Sequence, residues 1–350
     1  MRIEVALSDA PYDVTIGPGV RQQLSSFLVE HLPRAQVAVI ITSPQIRRQP
    51  WFDFAFAIET HVIEVADGEA AKTLKSLESI CDELARLRVS RHDVLVAVGG
   101  GAITDVAGFA AAVYLRGVAL VQVPTSVAGQ VDAAIGGKTG VNITMGKNLV
   151  GAFHQPRGVF CDTEALATLS ERERIAGMGE VAKCWLIEGR TRAGLDEASM
   201  QDLIEVSVSL KARIVAADEF ERTGQRALLN YGHTLGHALE LIALARGEGE
   251  LRHGEAVAIG LAFAARLAHR LERVGESVVA ETDAVLDFFG LPRRLTANFV
   301  ISELLDAMSR DKKSHHDLTF VLDGPGGCEV VAGVDPDVVR DVLEQFQEAP

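Results

Sequence analysis

The chain has 350 residues, 48% of them apolar and 23% charged, and a formal net charge of −14. That length exceeds what one hydrophobic core usually serves, so two domains are expected. The acidic balance argues against nucleic acid or an anionic membrane surface as a partner, and no apolar run reaches the roughly 18 residues that span a bilayer. The N-terminal Met1-Arg-Ile-Glu-Val-Ala-Leu alternates like a strand and lacks a signal peptide's apolar core, so the expected compartment is the cytoplasm. Gln36–Thr42 and His61–Val65 are short apolar or β-branched runs, followed by a helical pattern over Ala71–Leu87. Val94–Val98 is a fully apolar strand running into Gly99-Gly100-Gly101, and Val118–Val123 is another, ending at Pro124-Thr125-Ser126. Strands alternating with helices predict a mostly parallel sheet covered on both faces.

From about Leu166 the pattern becomes helical, with helices expected over Leu203–Ala217, Ala227–Ala245, Gly254–Leu271, Val278–Phe289 and Asp337–Phe346. A short strand pair near Leu318–Leu322 and Glu329–Val331 interrupts them. The expectation is an α/β domain over residues 1–165 and a helical domain over 166–350. The cysteines at 81, 161, 184 and 328 form no CxxC pair, so they read as buried small hydrophobes or free thiols.

Three groups of residues carry chemistry. Gly99-Gly100-Gly101-Ala-Ile-Thr-Asp105 follows a strand and opens a helix, where backbone N–H groups can approach a pyrophosphate. It is not the GxGxxG fingerprint, and a Gly-rich tight turn with a capping Asp explains it about equally well. Gly136-Gly-Lys138-Thr139, Gly146-Lys147-Asn148 and Tyr114-Leu-Arg116-Gly117 place cations in Gly-rich loops beyond strand ends, where open α/β sheets bind ligands. The first triplet is no P-loop, because position 132 is Asp where that motif needs Gly. Lastly, His233 and His237 share a helix face, and Glu180 and His253-Gly-Glu255 can complete a site with three protein ligands and an open position. Thr234 stands where a zinc peptidase has Glu, which excludes that class, and His315-His316 reads as a solvated pair.

Taken in order, these segments resemble the 3-dehydroquinate synthase family, the sugar-phosphate cyclases, including its aminodehydroquinate synthase branch. The densest match runs from Gly99 to Gly151 and on through Ala152-Phe-His-Gln-Pro156. Gly177-Met-Gly-Glu-Val-Ala-Lys183, Leu229-Asn-Tyr-Gly-His-Thr-Leu-Gly-His237, His253-Gly-Glu-Ala256 and Asp311-Lys-Lys313 continue it, so the resemblance spans nearly the whole chain. It implies a dehydroquinate synthase-like fold and a divalent metal, zinc or cobalt, held by Glu180, His233 and His253. His237 is then a phosphate-binding or proton-transfer residue and not a ligand. Arg116, Lys138, Asn148, Lys183, Lys211, Arg226, Asn230 and Lys312 grip an anionic sugar-phosphate substrate, with Arg116 acting across a homodimer interface. Glu69, Lys72, Gly100, Gly101, Asp105, Thr125, Ser126, Asp132, Lys147 and Thr168 correspond to positions that contact NAD. The chain departs from the family at Thr42-Ser43-Pro44, where Asp or Asn is usual, at Thr125-Ser126 in place of Thr-Thr, and in the spacing before Arg226.

The activity implied is a phosphate-eliminating lyase that converts 3-deoxy-D-arabino-heptulosonate 7-phosphate to 3-dehydroquinate in the shikimate pathway. NAD takes a hydride and returns it, phosphate leaves between the two transfers, and ring opening and aldol closure give the carbocycle. The runner-up is the same cyclisation of the 4-amino analogue, in secondary metabolism. A metal-dependent polyol dehydrogenase is the remoter alternative.

Overall fold

A computed structural model describes residues 1–246, 251–296, 298–310 and 318–347, and these divide into two compact units. The first comprises Met1–Ser170 with Met200–Phe220, the second Glu171–Ser199 with Glu221–Pro350. In chain order the first holds β1 (Arg2–Val5), β2 (Tyr12–Gly17), α1 (Leu24–His31), β3 (Val37–Thr42), α2 (Pro44–Arg47), β4 (Glu59–Glu64) and α3 (Leu74–Arg86). It continues through β5 (Val94–Gly99), α4 (Gly101–Val113), β6 (Ala119–Pro124), β7 (Lys138–Ile143), β8 (Gly146–Phe153) and β9 (Gly158–Asp162). The second unit opens with α5 (Glu171–Ile187), and α6 (Met200–Ala217) returns to the first.

Seven strands form one sheet in the order β1-β2-β9-β6-β5-β3-β4, parallel except for the β1–β2 pair. Val37–Ile41 of β3 and Val94–Val98 of β5 are apolar at every position because both faces are covered. Val39, Ile41, Leu95 and Ala97 point into a core with Ile80, Leu84, Val106 and Ala110, supplied by α3 and α4. Their neighbours Ala38, Ile40, Val94 and Val96 point the other way, against Leu24, Leu28, Trp51 and Phe160. The period of two decides which residue enters which core. The chain runs from β3 outward to β4 and then crosses back to β5 on the other side of β3. The reversal leaves a crevice beyond the carboxyl ends of β3 and β5, the usual place for a ligand in an open α/β sheet.

The second unit is built on α8 (His253–Arg270), whose residues Ala256–Ala265 are all buried. Around it pack α5, α7 (His233–Arg246), α9 (Glu276–Phe288), β10 (Leu318–Gly324) of the β10–β11 (Gly327–Val334) hairpin, and α11 (Pro336–Phe346), while α10 (Ile301–Arg310) packs on α7 and α11. Among the described residues no helix is long and apolar enough to cross a membrane.

Two elements differ from expectation. The helical pattern over Ala227–Ala245 is a 3-10 turn at Gln225–Asn230 followed by α7 from His233. Gly232 causes the break: its φ of +78° is left-handed, and a Cβ there would lie 2.8 Å from the Val257 carbonyl oxygen. The second difference is α6, grouped in sequence with the C-terminal helices but packed on β1, β2 and the π-helical turn Gly129–Ala133 of the first unit.

Candidate metal centre and nucleotide site

In the second unit, Glu180 sits in the middle of α5, while His233 and His253 are the first residues of α7 and α8. Two glycine contacts bring the three helices together. A Cβ on Gly254 would stand 1.7 Å from the Ala176 carbonyl oxygen, and one on Gly260 would stand 1.8 Å from the Gly232 carbonyl oxygen. Backbones can approach this closely only where side chains are absent. One ligand atom from each of Glu180, His233 and His253 falls within 4.8 Å of the others. Glu180 Oε1 lies 3.1 Å from His253 Nε2 and 3.4 Å from His233 Nε2. His237 lies outside this trio, exposed on α7 with its ring 5.2 Å from that of His233.

The protonation states suit a cation. Burial alone would raise the Glu180 carboxyl, but the Lys183 ammonium and His233 hold it well below the usual carboxylate range. Burial pushes His233 down, which favours the neutral imidazole that binds metal. Burial acts the same way on His253, yet hydrogen bonds to Glu180 and Glu240 raise it to about 10. A cation at Nε2 would take the place of that proton. His233 Nδ1 faces the Tyr231 carbonyl at 3.0 Å, leaving Nε2 toward Glu180. Two imidazoles and a carboxylate with converging lone pairs are the donor set of a catalytic zinc or cobalt site. Lys183, 1% exposed, forms an ion pair with Glu180.

In the first unit, α4 begins at the expected glycines. No side chain caps it; Gly100 occupies the cap position, and a Cβ on Gly101 would meet Ala133 at 3.1 Å. Nearby, Lys72 Nζ donates to Asp105 Oδ2 and to Asn148 Oδ1, each at 2.5 Å. Burial is the larger influence on the Asp105 carboxyl and raises it to about 6, against the pull of Lys72. Asn142 Nδ2 donates to Glu69 Oε2 at 2.7 Å, and Asn142 Oδ1 accepts from the Asn148 N–H at 2.9 Å. Asn148 has a φ of +57°, which Asn tolerates better than most residues. Ser126 Oγ accepts from the Gly129 N–H, Thr125 is buried beside Gly99, and Thr168 Oγ1 accepts from Trp51 Nε1 at 2.9 Å. An open cavity of about 560 Å³ lies at the ends of β3 and β4, lined by Pro44, Gln45, Arg48 and the segment Glu64–Asp67. There Ser43 Oγ donates to Asp67 Oδ1 at 2.8 Å, so the Thr42-Ser43-Pro44 departure leaves a carboxylate at this position from the β4 side. Small residues at a helix start, a cavity at the neighbouring strand ends and hydroxyls beyond β6 fit a dinucleotide lying across the crevice.

The remaining expected residues are dispersed in character. Lys211 is buried and donates to the Asp132 carbonyl at 2.6 Å and pairs with its carboxylate, joining an expected substrate residue to an expected cofactor residue. Arg226 is buried in the 3-10 turn and Asn230 is half-buried at its end. Lys138, Lys147 and Arg116 are exposed, and Arg116 follows Leu115 in a left-handed turn with φ of +65° and +49°. Lys312, with Asp311, Lys313, His315 and His316, lies outside the described residues. The sequence reading overlooked Glu240 and Asn142, whose neighbours it had singled out. The spacing His233, His237, Glu240 on one helix face was the available signal for the first.

The comparisons with known proteins agree with this geometry. The family model for the 3-dehydroquinate synthase N-terminal region matches residues 62–176, and that for the C-terminal region matches 177–314. A proposed aminodehydroquinate synthase of Amycolatopsis mediterranei (strain S699) is 48% identical over 344 residues, covering 98% of this chain and 94% of the relative. The 3-dehydroquinate synthase of Nitrobacter hamburgensis is 41% identical over 374 residues, covering 99% and 97%. Among solved structures, 2-deoxy-scyllo-inosose synthase complexed with carbaglucose-6-phosphate, NAD+ and Co2+ superposes with a TM-score of 0.84 at 26% identity, covering 99% of this chain and all of that one. With the two family regions matched over adjoining residues 62–314 and the trio of possible ligands converging in the second of them, the chain belongs to the 3-dehydroquinate synthase family.

Proposed function

We propose that the protein is an NAD- and divalent-metal-dependent cyclase that converts 3-deoxy-D-arabino-heptulosonate 7-phosphate to 3-dehydroquinate with release of phosphate. The observation that carries this reading is the convergence of Glu180, His233 and His253 beside a fully buried Lys183, in a member of this family. When bound, NAD supplies a reversible hydride acceptor and zinc or cobalt a Lewis acid for neighbouring oxygens. Glu180, His233 and His253 hold the metal, and Gly100, Gly101, Asp105, Lys72 and Glu69 hold the dinucleotide with Thr125, Ser126, Asp132, Lys147 and Thr168. Lys138, Lys183, Lys211, Arg226, Asn148, Asn230 and Lys312 orient carboxylate, hydroxyls and phosphate, where positioning and fixed charge supply much of the rate. His237, exposed next to His233, exchanges a proton with the substrate or its phosphate. In this reading NAD binding belongs to residues 1–165 together with Thr168, and metal and most substrate binding to 166–350, while Lys138, Asn148 and Lys211 on α6 serve the substrate from the first unit. The active species is a cytoplasmic homodimer in which the exposed Arg116 serves the partner's site. Full activity from a species that sediments as a monomer would refute that assembly.

The 48% identity to the Amycolatopsis protein, against 41% to the Nitrobacter enzyme, favours a second reading, cyclisation of the 4-amino analogue. Phosphate release by metal-loaded protein with NAD, measured on both substrates, decides between them. Preference for the hydroxy substrate places the enzyme in the shikimate pathway, and preference for the amino substrate places it in secondary metabolism. Net NADH accumulation with a polyol and no phosphate from either substrate would sink both and point to a dehydrogenase.

A further inference from the structure

Glu240 has no part in the scheme above, yet it touches a proposed ligand. It lies on α7 seven residues after His233 and three after His237, along one face of the helix. Its Oε2 stands 2.9 Å from Nδ1 of His253, while Nε2 of the same ring faces Glu180 Oε1 at 3.1 Å. The Glu240 side chain is 12% exposed and the His253 side chain 40%, so the hydrogen bond is shielded mainly from the Glu240 side. A carboxylate only accepts. The contact with Glu240 thus occupies Nδ1 and leaves Nε2 toward Glu180.

We propose that Glu240 is a positioning residue of the metal site, holding the ring plane and tautomer of His253 so that its Nε2 lone pair points between Glu180 and His233. The inference rests on the reading of Glu180, His233 and His253 as metal ligands. The two imidazoles are oriented by different devices. His233 is held by a main-chain carbonyl, that of Tyr231 at 3.0 Å, which no substitution removes. His253 is held by a side chain, which one substitution removes. Hydrogen-bond partners of metal-bound histidines fix orientation and raise ligand basicity, and their loss weakens metal binding about 10- to 100-fold.

The test is the zinc dissociation constant of the full chain, measured by competition with a chromophoric chelator, together with the visible absorption of the cobalt-loaded protein. Glu240→Ala should weaken zinc about 10- to 100-fold and alter the cobalt bands. Glu240→Gln keeps an acceptor oxygen and should recover most of the affinity. Glu240→Met, which keeps the volume and removes the acceptor, should behave as the alanine variant does and carries the comparison if that variant fails to fold. His253→Ala separates the two readings. If it binds zinc as the wild type does, the ligand assignment itself fails. If it loses zinc while Glu240→Ala and Glu240→Met bind as the wild type does, Glu240 does not position the ring.

Discussion

Lys183 is a buried ammonium whose charge is balanced by the carboxylate three residues before it, both 1% exposed. Removing one partner of such a pair strands the other in a low-dielectric site, at a cost of about 3–5 kcal/mol. Lys183→Met should destabilise the metal-free protein by that amount in urea titrations, and the deficit should shrink when zinc is added, because a cation gives Glu180 a new counter-charge. An equal deficit with and without zinc would mean that no metal reaches Glu180. Asp105 makes the opposite kind of prediction. Its folded pKa, about 6, lies above its ordinary 3.8, so its favourable contribution is complete below about pH 4 and is lost as pH rises through 6. The loss is on the order of 3 kcal/mol. The stability of the wild type relative to Asp105→Asn should therefore fall between pH 4 and pH 7 in the cofactor-free protein. A flat difference would show that Lys72 fully offsets the burial.

At the scale of elements, the ligands depend on how closely α5 and α8 approach. Gly254 follows His253, and Gly179 precedes Glu180; a Cβ on Gly179 would fall 2.2 Å from the Gly254 carbonyl oxygen. Gly254→Ala must push the two helices apart, because backbone cannot give way as a flexible side chain can. It should cost at least about 1–3 kcal/mol in thermal or urea unfolding and weaken zinc binding as well. Gly326→Ala, where a Cβ meets nothing within 4 Å, should stay within roughly 0.5 kcal/mol and keep zinc affinity. The two helix starts differ: Thr73 Oγ1 caps α3 through the Ser76 N–H, whereas α4 starts at Gly100 with no side-chain cap.

For the whole molecule, the consequential feature is that α6 leaves the run of C-terminal helices to join the sheet unit. It covers β1 and β2, and its Lys211 ties down Asp132 in the turn after β6. A fragment of residues 1–170 should therefore unfold without cooperativity or aggregate, since the α6 face of that unit is left open. A fragment with cooperative urea unfolding like the full chain would show that the sheet unit stands without α6. The net charge of −14 makes the buried Lys72, Lys183, Lys211 and Arg226 more telling, because each lies where desolvation would exclude it unless a partner or function kept it.

The strands and most helices were legible because periodicity reports which side of an element is buried, and the central strands and α8 are so fully covered that the signal is strong. The glycines at the start of α4 and the residues Glu180, His233 and His253 were also legible, the latter through their resemblance to a family and not through spacing alone, since an i,i+4 pair of histidines would equally have suggested His237. Periodicity does not say against what an element packs. The sequence by itself therefore determined the alternation of the first half, the helical second half and the chemical types of the site residues. Only the tertiary structure decided that α6 serves the sheet, that Asn148 meets Lys72 and that Glu240 backs His253. These pairings join residues from 13 to 76 positions apart, set by glycine-permitted backbone approach and buried charge balance, which no local pattern encodes.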